Sequence, residues 1–277
     1  MTGKKLIARQ IVIEQDIIPR VPYDFTLVDL GSGDCSKTRY VIDELLKRQQ
    51  NLSFFPVDIS REFLLNSTKK LREEYADSLV VTPIGADYQQ GVEQLKQFKG
   101  PKLILWIGSM INLPYDVQVD TLRMIFTIMT DKCRLVFTGD ITQDRDAILK
   151  AYHDDEGLAQ CFIEYAITRL NKEEGSQIDL GKFTYQMDFI SDQNPNHMSY
   201  VTAYLEAKEA VNYPIPGLGI DLIMTKGERL YFHEGVGFSC KYTLKQLQNI
   251  AQKAGLILTN TWSDGQKHAA FCCCTTV

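Results

Sequence analysis

No apolar run in the 277 residues approaches the roughly 18–20 needed to span a bilayer. The first twenty residues interleave Lys4, Lys5, Arg9, Glu14 and Asp16 with apolar positions, so the apolar core of a secretory leader is not expected there and a cytoplasmic chain is. An excess of positive charge is missing too. Thirty Lys and Arg face 35 Asp and Glu, for a formal charge of -5, which gives nucleic acid no electrostatic footing. Histidine is scarce: His153, His197, His233 and His268 stand far apart, without ligand spacing. Cysteine is present seven times, but Cys35, Cys133, Cys161 and Cys240 are isolated and Cys272, Cys273 and Cys274 are consecutive. Neither arrangement suits a metal, so none is expected, and the run reads as small apolar residues of a final strand. Repeats and low-complexity stretches are absent. What remains is a chain long enough for one large domain carrying an insertion, acting on small molecules.

Strands alternate with helices through the first half. Strands are expected over 26–30, 52–57, 79–84, 103–107 and 134–138. Between them, helices are expected after a cap at Ser36 and over 61–75, 91–98 and 117–129. Spacers of that length imply crossovers and a parallel sheet covered on both faces. After Asp140 the pattern changes to two helices, 144–152 and 158–171, followed by strand-like segments at 183–190, 199–207, 219–224 and 229–232. A helix over 244–254 and strands over 256–262 and 269–275 return to the first style. The expected division is therefore an α/β core, 1–140 with 241–277, interrupted by an inserted α+β lobe, 141–240.

Four expected strand ends carry chemistry. Gly31-Ser32-Gly33 follows the first strand, where glycines let backbone approach a ligand at the carboxyl edge of an open α/β sheet. Asp58 ends the second strand about 25 residues on, where an acid accepts from ribose hydroxyls. Asp87-Tyr88 follows the third and suits an adenine, the acid for its amine and the ring for its face. Gly108-Ser109 follows the fourth and leaves room for a reactive end. A dinucleotide loop wants a third glycine, but Ser36 stands there, and Asp34 would face a pyrophosphate. S-adenosylmethionine, which has no phosphate and carries cationic groups, fits this set better than NAD.

The strings Asp29-Leu30-Gly31-Ser32-Gly33 and Ser36-Lys37-Thr38-Arg39 resemble a signature of the histidine-specific S-adenosylmethionine-dependent methyltransferases. Phe55-Pro56-Val57-Asp58, Gly108-Ser109 with Asn112, Ala151-Tyr152-His153-Asp154, Ser239-Cys240-Lys241-Tyr242 and Trp262-Ser263-Asp264 extend the similarity over roughly 26–271. The resemblance implies a Rossmann-like class I methyltransferase sheet with an inserted substrate-binding lobe. It implies that Gly31, Ser32, Gly33, Lys37, Asp58, Asp87, Tyr88, Gly108 and Ser109 meet the cofactor, with Lys37 at its carboxylate. Asn112 and Tyr152 then hold the amino-acid end of the substrate and serve catalysis, while Glu234 and Ser239 belong to the segment that grips the imidazole.

Departures gather on the substrate side. The family's front segment has no clear match before residue 26, Thr202-Ala203 stand where the family has Glu-Met, and four residues separate Glu234 from Ser239 instead of one. The expectation is N-methylation of a small amino acid or related amine, histidine-like or aromatic. The alternative is an inactive member that binds ligand or regulates a partner. The expected partner is a small molecule, with no nucleic acid and no membrane, and a homodimer stays open.

Overall fold

In the computed structural model, which describes residues 21–152, 156–232 and 239–276, these residues fall into two compact units. One lies within Met1–Ile141 and Tyr242–Val277, the other within Thr142–Lys241.

The first unit is an eight-stranded sheet. Its strands are β1 (Thr26–Leu30), β2 (Leu52–Asp58), β3 (Leu79–Val81), β4 (Ile84–Gly85), β5 (Lys102–Trp106), β6 (Arg134–Asp140), and later in the chain β13 (Ile257–Ser263) and β14 (Ala269–Thr275). Their order is β13-β14-β6-β5-β1-β2-β3, with β4 also on β2. The chain builds outward from β1 in one direction and then resumes on its other side with β5. The crevice that such a reversal opens at the carboxyl ends lies between β1 and β5. Pairings from β3 to β6 are parallel, whereas β14 runs antiparallel to both β6 and β13. That last reversal is what a short connection allows, since a parallel neighbour needs a crossover.

Helices α1 (Arg39–Leu46), α2 (Arg61–Tyr75), α3 (Tyr88–Leu95) and α4 (Tyr115–Phe126) make the crossovers. Ile42 and Leu45 of α1 and Leu71 of α2 join Leu27, Phe54, Leu103, Leu105 and Val136 in one apolar core. Every residue of β5 is buried, as expected of a central strand covered on both faces.

Four local expectations need correction. The strand expected over 79–84 is broken into β3 and β4 around Thr82 and Pro83, because Pro83 has no N–H to give a ladder. Ser36 does not cap α1: the N-cap is Thr38, and its hydroxyl goes to Asp29 instead. Helix α3 begins at Tyr88, three residues before the expected start, because Asp87 caps it by accepting from Gln90 N–H at 2.8 Å. Helix α4 runs from Tyr115, two residues before the expected 117.

The second unit holds α5 (Arg145–Tyr152), α6 (Leu158–Glu173), β7 (Phe183–Ile190), β8 (Ser199–Ala207), β9 (Val211–Ile215), β10 (Ile220–Met224), β11 (Arg229–Tyr231) and β12 (Ser239–Lys241). β8 is central, with β7 along one side; β11 and β12 follow one another along the other, opposite residues 204–206 and 199–201. Strands β9 and β10 form a separate hairpin. Ile163 and Ile167 of α6 pack on Ala203 and Leu205, while Ile148 of α5 packs on Phe189 and Val201. Beyond this unit the chain re-enters the sheet at Tyr242, whose N–H donates to Asp140 O at 2.8 Å, and continues into α7 (Leu244–Lys253).

Candidate functional site

The loop after β1 is built from its own backbone outward. Gly31 and Ser32 N–H both donate to Val57 O, at 2.8 and 3.1 Å, so the turn leans onto the end of β2. Gly33 N–H donates to Asp58 Oδ2 at 2.9 Å, and Asp58 Oδ1 accepts from Ser60 N–H at 2.9 Å. A carboxylate has about four lone-pair sites, so Asp58 keeps acceptor capacity for a diol. Beneath the loop lies Asp29, 5% exposed, accepting from the Thr38 hydroxyl. Burial raises its carboxyl to about 6, against the opposing pull of the Thr38 hydrogen bond and the Lys37 ammonium.

Lys37 reaches across to the other side of the crevice and donates to Ile107 O at 3.2 Å. Next to it Gly108 sits at φ +88°, a conformation that side chains strain, and a Cβ there would stand 3.1 Å from Lys37 Nζ. Gly108 N–H is held by Thr138 Oγ1 at 2.8 Å. A Cβ on Gly31, at φ +76°, would come within 2.9 Å of Ser109 Oγ and 3.2 Å of the Tyr88 hydroxyl. Gly31, Lys37, Tyr88, Gly108 and Ser109 thus crowd one spot from three different strand ends. Ser109 Oγ is buried there with no hydrogen-bond partner among the described residues. Ser32 is buried, its hydroxyl donating to Asp29 O at 2.8 Å, which stiffens the loop. Tyr88 crosses edge-on to Trp106, with ring centroids 5.6 Å apart. Asp87 is exposed, and one of its oxygens is committed to the cap of α3. Asn112 is exposed and closes a short turn through its N–H on Ser109 O, at 3.2 Å.

In the second unit, Tyr152 and Ser239 meet: their hydroxyls are 2.5 Å apart. Ile148 and Tyr152 share a face of α5 at i and i+4, and that face lies against the lobe sheet. Ser239 stands on β12, opposite Val201. Glu234 lies outside the described residues. Three participants were not singled out from sequence: Asp29, Thr38 and the buried Lys241, whose Nζ is 3.0 Å from the Tyr152 hydroxyl and 2.9 Å from Ser239 Oγ. The signal for Lys241 was its spacing of two from Ser239, which puts both on one face of a strand. Cysteine plays no part in either cluster: burial drives Cys35 and Cys272 thiols up to about 12, far from the thiolate form. Among the described residues no helix is long and apolar enough to cross a membrane.

A sheet reversing between β1 and β5, with a glycine loop, an acid and a small-residue turn at successive carboxyl ends, defines a Rossmann-like sheet of the class I methyltransferase type. A solved S-adenosylmethionine-dependent methyltransferase from Clostridium acetobutylicum has the same fold: TM-score 0.50 and 12% identity, covering 99% of this chain and 91% of that one. The description "Histidine-specific methyltransferase, SAM-dependent" matches residues 7–276, and the chain belongs to that family. It is an S-adenosylmethionine-dependent methyltransferase. The matched region runs beyond 26–271 at both ends. Histidine N-alpha-methyltransferase of Mycolicibacterium smegmatis is 24% identical over 240 residues, covering 86% of this chain and 71% of the relative. An N-methyltransferase of Aspergillus flavus is 22% identical over 253 residues, covering 86% of this chain and 64% of the relative.

The residues present fit the family's cofactor. Gly31 leaves a space that a Cβ would fill, Lys37 brings a cation beside it, Asp58 keeps acceptor capacity at the end of β2, and Ser109 has a buried hydroxyl with no partner among the described residues.

Proposed function

We propose that this chain transfers the methyl group of S-adenosylmethionine to the amine nitrogen of a small amino acid or related amine, with histidine-like and aromatic acceptors first. The cofactor, when bound, supplies an activated methyl on a sulfonium, so the protein's task is alignment more than acid–base chemistry. In this reading the Gly31–Gly33 loop carries the methionine portion, Lys37 meets its carboxylate and Asp58 accepts from the ribose. Asp87 and Tyr88 stand at the base, and Gly108 and Ser109 leave space beside the reactive end. Asn112, Tyr152 and Ser239 are the acceptor residues, with Asn112 and Tyr152 orienting an amine that must be neutral to attack. Glu234 completes that set. The core formed by 1–140 and 241–277 then serves the cofactor, and the lobe 141–240 serves the acceptor.

The observation that carries the reading is the convergence of Gly31, Lys37, Tyr88, Gly108 and Ser109 on one spot at the reversal of the sheet. The N-methyltransferase names of the relatives favour nitrogen as the acceptor atom. The reaction is placed in the cytoplasm, without nucleic acid or membrane, and a homodimer is the assembly to seek by light scattering. Calorimetry with S-adenosylmethionine, followed by mass spectrometry over a panel of amino acids and aromatic amines, tests the function. The expected result is cofactor binding and an N-methylated amino acid. Products confined to oxygen or sulfur acceptors would overturn it.

A further inference from the structure

Lys241 is 1% exposed, and burying an ammonium is costly unless neighbours hold it. Its place on β12 is fixed by pairing opposite Ser199 of β8, and it shares a face with Ser239, two residues before. From there Nζ lies 2.9 Å from Ser239 Oγ and 3.0 Å from the Tyr152 hydroxyl, and 5.0 Å from the centre of the Tyr152 ring. An ammonium has donors only, so both hydroxyls accept from it. Their own protons therefore point away from Lys241, one of them along the Tyr152–Ser239 contact. A single cation thus constrains two hydroxyls carried by different elements.

We propose that Lys241 is a positioning residue of the methyl-transfer site, acting through Tyr152 and Ser239 by fixing the orientation in which their hydroxyls meet the acceptor. The inference rests on the reading above that Tyr152 and Ser239 belong to the acceptor side. Lysine suits the task better than arginine because its point charge with three donors can satisfy two converging hydroxyls, whereas a planar fork would splay them. The cofactor cluster contains none of these three residues, so the effect is confined to the acceptor.

The test is a kinetic cycle with Tyr152→Phe, Ser239→Ala, Lys241→Gln and the double variant Tyr152→Phe/Lys241→Gln. The probe is L-histidine, or the panel member of highest turnover if histidine gives none. Lys241→Gln is expected to raise the acceptor KM about tenfold, with cofactor affinity measured by calorimetry within twofold of the parent. In the Tyr152→Phe background the same change adds little, because contacting residues that act as a unit are non-additive. If Tyr152→Phe and Ser239→Ala both leave the acceptor KM unchanged, the reading of the acceptor side fails and the inference goes with it. If those two raise KM and Lys241→Gln does not, or the losses multiply in the double variant, the inference alone is overturned. Should Lys241→Gln not fold, Lys241→Arg keeps the charge and carries the same cycle. It is expected to raise KM less, again without adding to Tyr152→Phe, and a parental KM would overturn the role.

Discussion

Asp58 Oδ2 accepts the N–H of Gly33 at 2.9 Å, so the end of one strand holds the glycine loop of its neighbour. The same carboxylate is therefore both a brace for the loop and the proposed ribose acceptor.

Replacing Asp58 by Ala removes both functions at once. Charge-assisted hydrogen bonds are worth about 1.5–3 kcal/mol each, so cofactor affinity is expected to fall roughly 10- to 100-fold or more. Calorimetry reads the loss directly, and a change under threefold would remove Asp58 from the cofactor site.

Gly31 and Gly33 both sit at positive φ, but their surroundings differ. A Cβ at Gly31 meets Ser109 Oγ and the Tyr88 hydroxyl, whereas one at Gly33 has nothing within 4 Å. Gly33→Ala should cost only conformational strain, roughly 1–2 kcal/mol. Gly31→Ala should cost that and also push Ser109 and Tyr88 out of place, with a larger loss of cofactor affinity. Adding Ser109→Ala to Gly31→Ala is expected to restore part of it. Equal effects of the two single substitutions would contradict the cradle.

The buried carboxyl of Asp29 makes stability depend on pH in the less usual sense. Its value rises from 3.8 to about 6, chiefly by burial. Between those values the folded chain keeps a proton that the unfolded chain has lost, so this group's contribution falls as pH rises from about 4 to 6. Above that it stays at the lower level, a difference of about 3 kcal/mol. Asp29→Asn should remove this decline. Denaturant titrations at pH 4.5 and 7.5 check it: the parent should lose more stability than the variant across the interval, and parallel losses would refute the assignment.

Helix α7 starts with a capping box between Thr243 and Gln246. Thr243→Ala should cost about 1 kcal/mol, seen as a fall of a few degrees in Tm. Cofactor affinity should be unchanged, because no atom of the box belongs to the proposed cofactor cluster.

Much of the fold was legible because periodicity and punctuation agree along strands of both units. The strands over 26–30, 183–190, 199–207 and 269–275 fall where alternation and apolar runs place them. The residues of the proposed cofactor cluster were marked in sequence for a similar reason, since glycines and acids at strand ends sit at defined places in an open sheet. What escaped depended on contacts distant in sequence. Strand β9 carries Pro214, which argues against a central strand, and it pairs with β10 in a small two-stranded hairpin. Strand β12 has three residues and no periodicity to display. Asp87 was read for its chemistry, whereas its backbone position also makes it a cap. Lys241 shows locally only its spacing of two from Ser239; its contact with Tyr152, 89 residues away, has no local mark.

The 2.8 Å bond from Tyr242 N–H to Asp140 O has a consequence for how such a chain can change. The hundred residues between leave and return at neighbouring points, so the sheet does not depend on their passage for its threading. Excising 142–241 and bridging the gap with a short turn would leave every strand of the first unit with its present neighbours. In that sense the second unit is a cassette, free to diverge in sequence while the sheet that carries it stays unaltered.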